Sequence, residues 1–254
     1  MSAFLPREEL TLASPWINAA GSLGFAPGSG WTIPIEQGAF VTNPISLRPR
    51  TAAENRVLIE YPGSYLLHTG VVNPGVSETI KRYASRWARA DLPVWVHILA
   101  DTAENVLQMV QALEELEGVT AIVLGLPPRI YGDQALSMVA AASGERPLVV
   151  EIPFTACGDG WTGRLSGLGV SALSLAAPRG ALPGKDGVIT GGHLIGPGLF
   201  PQVLAAIRTA RRARLPLIAS AGVYSRIQGE ALLQAGAWAV ALDGVLWRGW
   251  DEET

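Results

Sequence analysis

Short runs of apolar, often β-branched residues recur along the chain and alternate with segments in which apolar positions follow a helical period. Eight of these runs predict β-strands, at residues 16–20, 39–43, 94–99, 120–124, 147–152, 172–175, 216–220 and 238–242. Near-continuous apolar runs are typical of parallel strands that are buried on both faces. Their alternation with helical segments indicates βαβ units. The pattern predicts an α/β fold, a (β/α)8 TIM barrel, in a single domain that spans residues 1–254.

Helix boundaries are best defined after the third predicted strand. Asp101 and Thr102 are N-cap candidates, and Glu104 follows in the first turn, where an acidic side chain is favourable. Apolar side chains recur from there at helical spacing, at Val106, Met109, Val110, Leu113 and Leu116, before Gly118 ends the run. Further helices are predicted to begin at Ser77, near Pro197 and Pro201, and at Ser225, with Gly236 ending the last.

Two segments are too long for ordinary barrel connections. Residues 48–75 follow the second predicted strand, and the Gly- and Pro-rich residues 176–196 follow the sixth. Both come after the C-terminal ends of strands, where barrels place their functional loops. After the eighth strand only residues 244–254 remain, too few for a full closing helix. We expect Trp247 and Trp250 to cover the bare end of the barrel or to lie in a subunit interface.

Composition excludes several classes of partner. The chain has 254 residues and a net charge of −3, so no basic excess indicates nucleic-acid binding. No apolar run approaches the ~20 residues that span a bilayer, and the N-terminus lacks a signal-peptide pattern. A single cysteine, Cys157, fits a reducing compartment. We therefore expect a cytoplasmic protein that contacts neither nucleic acid nor membrane.

Seven local motifs, in order and at matching spacing, resemble the dihydroorotate dehydrogenase family of class 1. They lie at residues 15–21 (PWINAAG), 38–43 (GAFVTN), 47–50 (LRPR), 70–75 (GVVNPG), 191–197 (GGHLIGP), 218–223 (IASAGV) and 235–240 (AGAWAV). The resemblance covers nearly the whole chain and implies a barrel that holds FMN at its C-terminal mouth. In that case the cofactor-binding residues would be Ala20, Gly21, Gly191, Gly192, Gly222, Val223 and Gly244.

Several positions depart from what this resemblance implies for dihydroorotate oxidation. Pro127 stands where the family has its catalytic base, and a proline side chain cannot accept a proton. Asparagines that would bind the substrate are replaced by Leu67, Leu124, Arg129 and Ala177. The two flavin-contacting lysines are replaced by Asn43 and Glu151, and Asp243 precedes Gly244 in the implied phosphate groove. An acidic side chain beside a phosphate is unfavourable.

Other polar residues are expected at the mouth. The candidate pocket consists of Asn43, His68, His97, Glu151, Arg179 and His193, with Lys185 in the same long loop as Arg179. Histidine and carboxylate would suit a transition metal, but no spacing such as H-x-H or H-E-x-x-H is present, so we predict no metal site. The plainer interpretation is a set of isolated polar residues satisfied by backbone groups. An inward Glu151 needs a partner, which His97 or Arg179 could supply.

Three hypotheses of function follow, and fold alone cannot choose among them. The first is a divergent dihydroorotate dehydrogenase-like protein with a degenerate flavin and orotate site, which binds a different small molecule at the mouth. The second is an FMN-dependent oxidoreductase with an altered base and substrate. The third is a non-catalytic paralogue, a pseudoenzyme that acts through subunit association, for example as a homo-oligomer. We rank the first highest, and the sequence leaves open whether the chain is an enzyme.

Overall fold

A computed structural model describes residues 10–28, 33–54, 56–127, 130, 132–184 and 187–251. In chain order its strands are β1 (Trp16–Asn18), β2 (Phe40–Val41), β3 (Ile45–Ser46), β4 (Val57–Tyr61), β5 (Ser64–His68), β6 (Val94–Leu99), β7 (Val119–Gly125), β8 (Leu148–Pro153), β9 (Ala172–Ala176), β10 (Arg179–Pro183), β11 (Ile189–Ile195), β12 (Leu217–Ser220) and β13 (Ala239–Leu242). The helices are α1 (Val76–Trp87), α2 (Ala103–Glu114), α3 (Gly132–Ala141), α4 (Phe200–Ala210), α5 (Arg226–Gln234) and α6 (Val245–Arg248).

The predicted parallel barrel is present. Its strands follow the order β1-β13-β12-β9-β8-β7-β6-β2, and every pair is parallel. A parallel bridge between Ile17 and Ala39 joins the two ends of this order and closes the barrel. β3 continues the line of β2 by pairing with β6. All eight runs predicted as strands therefore lie in the barrel wall, which confirms the fold.

Side chains that alternate along each strand form two separate apolar layers. The inward layer includes Ile17, Val41, Trp95 and Val149. Trp95 stacks on Trp238 with ring centroids 6.4 Å apart, which fills the N-terminal end of the interior. Outward side chains pack against the helices instead. Because side chains alternate with period two, the next inward residues after Trp95 and Val149 are polar and lie nearer the C-terminal mouth.

Most of the predicted helix ends are observed. The Thr102 hydroxyl accepts the Asn105 N–H at 3.2 Å, and Ser225 forms a capping box with Gln228. One predicted helix start was wrong by one residue. α1 begins at Val76 with Gly75 as its N-cap, so Ser77 lies within the helix. Gly75 has a φ of 79°, and a side chain there would meet the Pro49 backbone nitrogen at 2.8 Å. The local geometry therefore requires glycine at the cap.

The two long loops pair with each other, which the sequence did not predict. β4 and β5 come from the loop after the second barrel strand, and β10 and β11 from the loop after the sixth. They form a four-stranded antiparallel sheet in the order β10-β11-β5-β4, here called the cap sheet. His193 of β11 lies opposite Leu67 of β5 in the join between the two loops. The cap sheet thus brings residues distant in sequence to the C-terminal end of the barrel.

The chain closes with a short helix, as expected, because α6 has four residues. Trp250 packs edge-on against Trp16 of β1, with ring centroids 5.3 Å apart. Trp250 therefore covers the flank of the barrel near β1. Trp247 is 59% exposed. Within the described residues no helix is both long and apolar enough to cross a membrane.

Candidate functional site

A buried histidine–glutamate pair lies at the C-terminal mouth of the barrel. His97 is on β6 and Glu151 on β8, and the two strands flank β7. Both side chains follow the inward alternation. His97 Nε2 lies 3.1 Å from Glu151 Oε1, and the two side chains are 1% and 23% exposed. Two ionisable groups that contact each other and are little exposed to solvent form a strongly coupled pair. Glu151 thus has His97, one of its two expected partners.

Gly125 on the intervening strand β7 makes this contact possible. A Cβ atom at position 125 would lie 2.8 Å from His97 Cε1 and 2.9 Å from His97 Nε2. It would also lie 2.6 Å from the Leu99 side chain. The imidazole therefore crosses β7 through the space that the missing side chain leaves, and sequence reasoning overlooked this glycine.

The environment of Glu151 keeps its carboxyl ionised. Burial raises the pKa of Glu151, but the neighbouring His97, the nearby His193 and a hydrogen bond from Ser174 together hold that pKa below its usual value of 4.5. An ionised carboxylate can only accept hydrogen bonds, so His97 Nε2 is the donor in the pair. His97 Nδ1 is also buried and has no hydrogen-bond partner among the described residues. In a neutral imidazole this nitrogen is an acceptor, available to a water molecule or to a ligand.

His193 and Arg179 form a second polar pair on the cap sheet. They are opposite each other across β10 and β11, and Arg179 Nη1 donates to His193 Nε2 at 3.1 Å. Burial and the charge of Arg179 lower the pKa of His193, whereas Glu151 acts in the opposite direction. His193 is therefore a neutral acceptor at pH 7 and lies close enough to Glu151 to sense its charge. The pairs of the barrel and of the cap sheet face the same mouth.

The remaining pocket candidates are placed differently. His68 ends β5, the neighbour of β11, and its charge also acts on His193. Asn43 does not join the group: its Oδ1 accepts the Gly24 N–H at 3.0 Å, and its own N–H donates to the Gly24 carbonyl. Asn43 therefore fixes a loop. Lys185 and Arg129 lie outside the described residues. In the described part of the chain, no cluster of three or more His, Cys, Asp or Glu side chains could hold a metal ion.

Neither Pro127 nor Cys157 places a proton-accepting side chain at the mouth. Pro127 follows β7, and its carbonyl accepts the Ile130 N–H at 3.0 Å. Cys157 Sγ points at the Ala206 carbonyl of α4, 3.6 Å away, and burial raises the pKa of its thiol. Leu124 packs in the apolar layer between barrel and helices. None of these side chains supplies a base at the mouth.

The glycines expected to bind a cofactor occupy four places around the mouth. Gly21 forms a turn after β1 with a φ of 92°, and Ala20 lines a small internal cavity of ≈ 20 Å³. That cavity, which Glu151 and Ser174 also line, has room for about one water molecule. The other expected positions lie on β11 (Gly191 and Gly192), after β12 (Gly222 and Val223) and before α6 (Gly244).

Two of these glycines serve close backbone packing. A side chain at Gly192 would meet the Leu67 carbonyl of β5 at 2.6 Å. Gly222 has a φ of 75°, and a side chain there would strike the Phe200 nitrogen at the start of α4. Glycine at both positions is explained without a ligand.

A second polar cluster, which the sequence did not indicate, surrounds Asp243 after β13. Tyr65 of β5 and Tyr224 after β12 both have a raised pKa, first because they are buried and second because Asp243 carries negative charge nearby. Burial also raises the pKa of Asp243 itself. The Gly244 N–H donates to Asp243 Oδ1 at 2.5 Å. The amide that would have to bind the phosphate of FMN is thus already taken by a carboxylate, so these residues do not fit that phosphate.

Proteins with similar sequences include catalytic subunits of dihydroorotate dehydrogenase B (NAD+). The chain is 27% identical over 259 residues to the dihydroorotate dehydrogenase B (NAD+) catalytic subunit of Pelobacter propionicus, covering 91% of this chain and 83% of the relative. It is 26% identical over 262 residues to the subunit of the same name from Desulforudis audaxviator, covering 92% and 83%. No family model matches the chain.

Structural comparison agrees at the level of the fold. A crystal structure of dihydroorotate dehydrogenase from Eimeria tenella, in complex with ferulenol, superimposes with a TM-score of 0.74. The alignment covers 94% of this chain and 78% of that chain at 17% identity. The comparisons therefore agree that the chain is similar to dihydroorotate dehydrogenase catalytic subunits in sequence and to a dihydroorotate dehydrogenase in fold.

Proposed function

We propose that this chain binds a small molecule other than dihydroorotate at the mouth of its barrel, and that it does not oxidise dihydroorotate. The observation that carries the proposal is the buried contact between Glu151 and His97 at 3.1 Å. An ionised carboxylate stands where the resemblance implies a lysine that favours electron-rich flavin. Negative charge at that point opposes the build-up of electrons on a bound flavin.

The pair is well suited to recognise a hydrogen-bond donor. Glu151 accepts a hydrogen bond from His97 Nε2, which fixes the ring orientation, and an ionised carboxylate has further lone pairs that can accept from a ligand. Arg179 and His193 form the opposite wall of the mouth. A ligand between these two walls would offer an N–H or O–H to the barrel and an acceptor or acidic group to Arg179. Pro127 gives no base on the remaining side.

Catalysis is tested by dihydroorotate-dependent dye reduction with purified protein in excess FMN. We expect no turnover above the rate with free FMN, because no proton-accepting side chain stands at position 127 and the flavin phosphate is opposed by Asp243. A curated relative, such as the Pelobacter propionicus catalytic subunit, serves as the positive control. Steady turnover by this chain would refute the proposal.

Binding is tested by NMR of the imidazole rings. The chain has three histidines, and all three lie around the mouth or on the cap sheet. A screen of small metabolites should therefore move the His97 and His193 signals together when a ligand enters. Glu151→Gln, which keeps the shape of the side chain but not its charge, should weaken that response. A ligand that shifts no imidazole signal, although it binds by calorimetry, would place binding elsewhere.

An FMN-dependent oxidoreductase with an altered base is the second candidate. It is supported by similarity to catalytic subunits across 91% of the chain. It predicts that flavin stays with the protein through purification and that hydride acceptance needs a substrate other than dihydroorotate. Retained flavin separates the two candidates.

Subunit association is the third candidate, and the cap sheet supports it. Leu58 on β4 and Ile189 on β11 are 56% and 67% exposed. Exposed apolar side chains mark a protein interface when they belong to one contiguous patch. Under this proposal the chain forms a homo-oligomer whose assembly, measured by light scattering, weakens when Leu58 and Ile189 are changed to serine.

A further inference from the structure

The ends of β12 and β13 form the part of a barrel that commonly binds phosphate. In barrels of this class, the loops after the seventh and eighth strands and the start of a short extra helix often make such a site. β12 and β13 are the seventh and eighth barrel strands here, and α6 is the short helix that follows. Gly222 and Val223 follow one strand, and Asp243 and Gly244 follow the other.

The Asp243 side chain places a carboxylate where a barrel of this class would bind phosphate. Its Oδ1 accepts the Gly244 N–H at 2.5 Å, and Gly244 is the residue directly before α6. A side chain built on Gly244 would meet nothing within 4 Å, so the turn opens onto free space. A ligand phosphate could reach this turn, but it would meet a carboxylate already hydrogen-bonded to the amide.

The surroundings of Asp243 offer little positive charge to a ligand. Tyr65 and Tyr224 flank it from the cap sheet and from the turn after β12. Arg248 is the cation that acts on Asp243, and it is already engaged twice. Its guanidinium lies 5.1 Å from the centre of the Tyr224 ring and 2.9 Å from the Asp251 carboxylate. A phosphate here would gain no unpaired cation among these residues.

We infer that Asp243 is an internal anion that occupies the phosphate position of the barrel, so that the mouth selects a ligand without phosphate. This inference rests on the proposed small-molecule site and names its ligand class. The end of the site beside Asp243, Tyr65 and Tyr224 takes a neutral or cationic group that donates hydrogen bonds. The phosphate-bearing end of FMN is excluded by like charge.

The test compares two probes that differ by one phosphate. FMN and riboflavin share the same ring system, and their binding is followed by quenching of flavin fluorescence. Asp243→Ser removes the charge and frees the Gly244 N–H, so FMN should bind at least tenfold more tightly than to the unchanged protein, while riboflavin affinity stays the same. Inorganic phosphate, measured by calorimetry, should show the same gain. Asp243→Asn keeps an acceptor for Gly244 and should give a smaller gain.

Asp91→Ser is the matched control, because it removes an exposed carboxylate in the turn before β6, at the N-terminal end of the barrel, and leaves the pair of Arg248 with Asp251 intact. It should leave all three affinities unchanged. The inference is overturned if both Asp243 variants, folded by circular dichroism, gain no affinity for FMN or for phosphate, or if riboflavin gains as much as FMN. Either result leaves the proposed function standing, since that proposal fails only if the unchanged protein oxidises dihydroorotate or binds no ligand at its mouth.

Discussion

His97→Leu is expected to lower the free energy of unfolding at pH 7 by about 3 kcal/mol. The substitution leaves the Glu151 carboxylate without the partner that it contacts at 3.1 Å. Removing one member of a buried ion pair typically costs roughly 3–5 kcal/mol. Glu151 keeps the hydrogen bond from Ser174 and is partly exposed, so the lower end of that range applies. Urea unfolding of both proteins measures the difference.

The size of this effect should depend on pH in one direction. The pKa of Glu151 is lower in the folded protein than its usual value of 4.5. A lowered carboxyl pKa contributes stability that is fully present above the unfolded-state pKa and is lost as the pH falls through the folded pKa. The unfolding free energies of the unchanged protein and of His97→Leu should therefore begin to converge below about pH 4.5 and meet once the pH has fallen through the lower, folded-state pKa of Glu151.

His68→Leu makes the same chemical change on the cap sheet and serves as the control. His68 is partly buried, and none of the described contacts pairs it with a carboxylate. Its substitution should change stability by less than ~0.5 kcal/mol, the usual range for a site without a special contact. Equal losses for His68→Leu and His97→Leu would show that the pair does not stabilise the mouth.

Gly125→Val is expected to lower the free energy of unfolding by about 3 kcal/mol, the upper end for overpacking a filled interior. Its Cβ would meet the His97 ring at 2.8 Å and the Leu99 side chain at 2.6 Å. The ring would have to leave Glu151, so the loss includes the pair as well as the strain. Imidazole NMR should show His97 in a changed environment, and thermal or urea unfolding gives the energy.

Gly163→Val is the matched control for this substitution. Gly163 lies in a 3-10 turn on the surface, and a side chain there would meet nothing within 4 Å. Its replacement should leave both the stability and the His97 signal close to those of the unchanged protein. If Gly125→Val also kept the His97 signal in place, the space at Gly125 would not be what positions the imidazole.

The barrel could be predicted because its strands are recognisable in the sequence as short apolar runs. Runs such as Val94–Leu99 are apolar on both faces, and turn or cap residues such as Thr102 mark where each helix begins. The cap sheet could not be predicted in the same way. β10 reads RGALP and β11 reads ITGGHLI, and these glycine-containing sequences give a weak strand signal, while the apolar β4 lies in a separate loop far away in sequence. Pairing between loops 120 residues apart depends on tertiary contacts.

The candidate site was partly predictable, because two of its residues lie on barrel strands that the sequence identified. A carboxylate on a buried strand needs a partner, and this argument named His97 or Arg179 as the partner of Glu151. Period two on neighbouring strands would also have placed Gly125 and Ser174 inward, because they follow Val123 and Ala172 by two residues. The contact between Arg179 and His193 depends on the register of β10 with β11, which the sequence does not specify. Tyr65 lies near enough to Asp243 to be affected by its charge because the cap sheet folds over β13, whereas Tyr224 comes from the turn after the neighbouring barrel strand β12.

The two clusters have a common consequence for cofactor binding. Glu151 and Asp243 place carboxyl groups at two points around one mouth, and both lie where the family resemblance implies favourable contacts to flavin. Glu151 opposes negative charge on the flavin ring, and Asp243 opposes the phosphate. Under the proposed function, the mouth therefore differs in charge from a site that holds FMN, although the barrel beneath it is retained.

The most direct measurement is the absorbance spectrum of the protein purified without added cofactor, repeated after incubation with excess FMN and desalting. We predict no flavin bands in either spectrum, because the unchanged Asp243 and Glu151 disfavour both ends of the cofactor. Stoichiometric flavin bands that remain after desalting would contradict the account and return the chain to the flavin oxidoreductases.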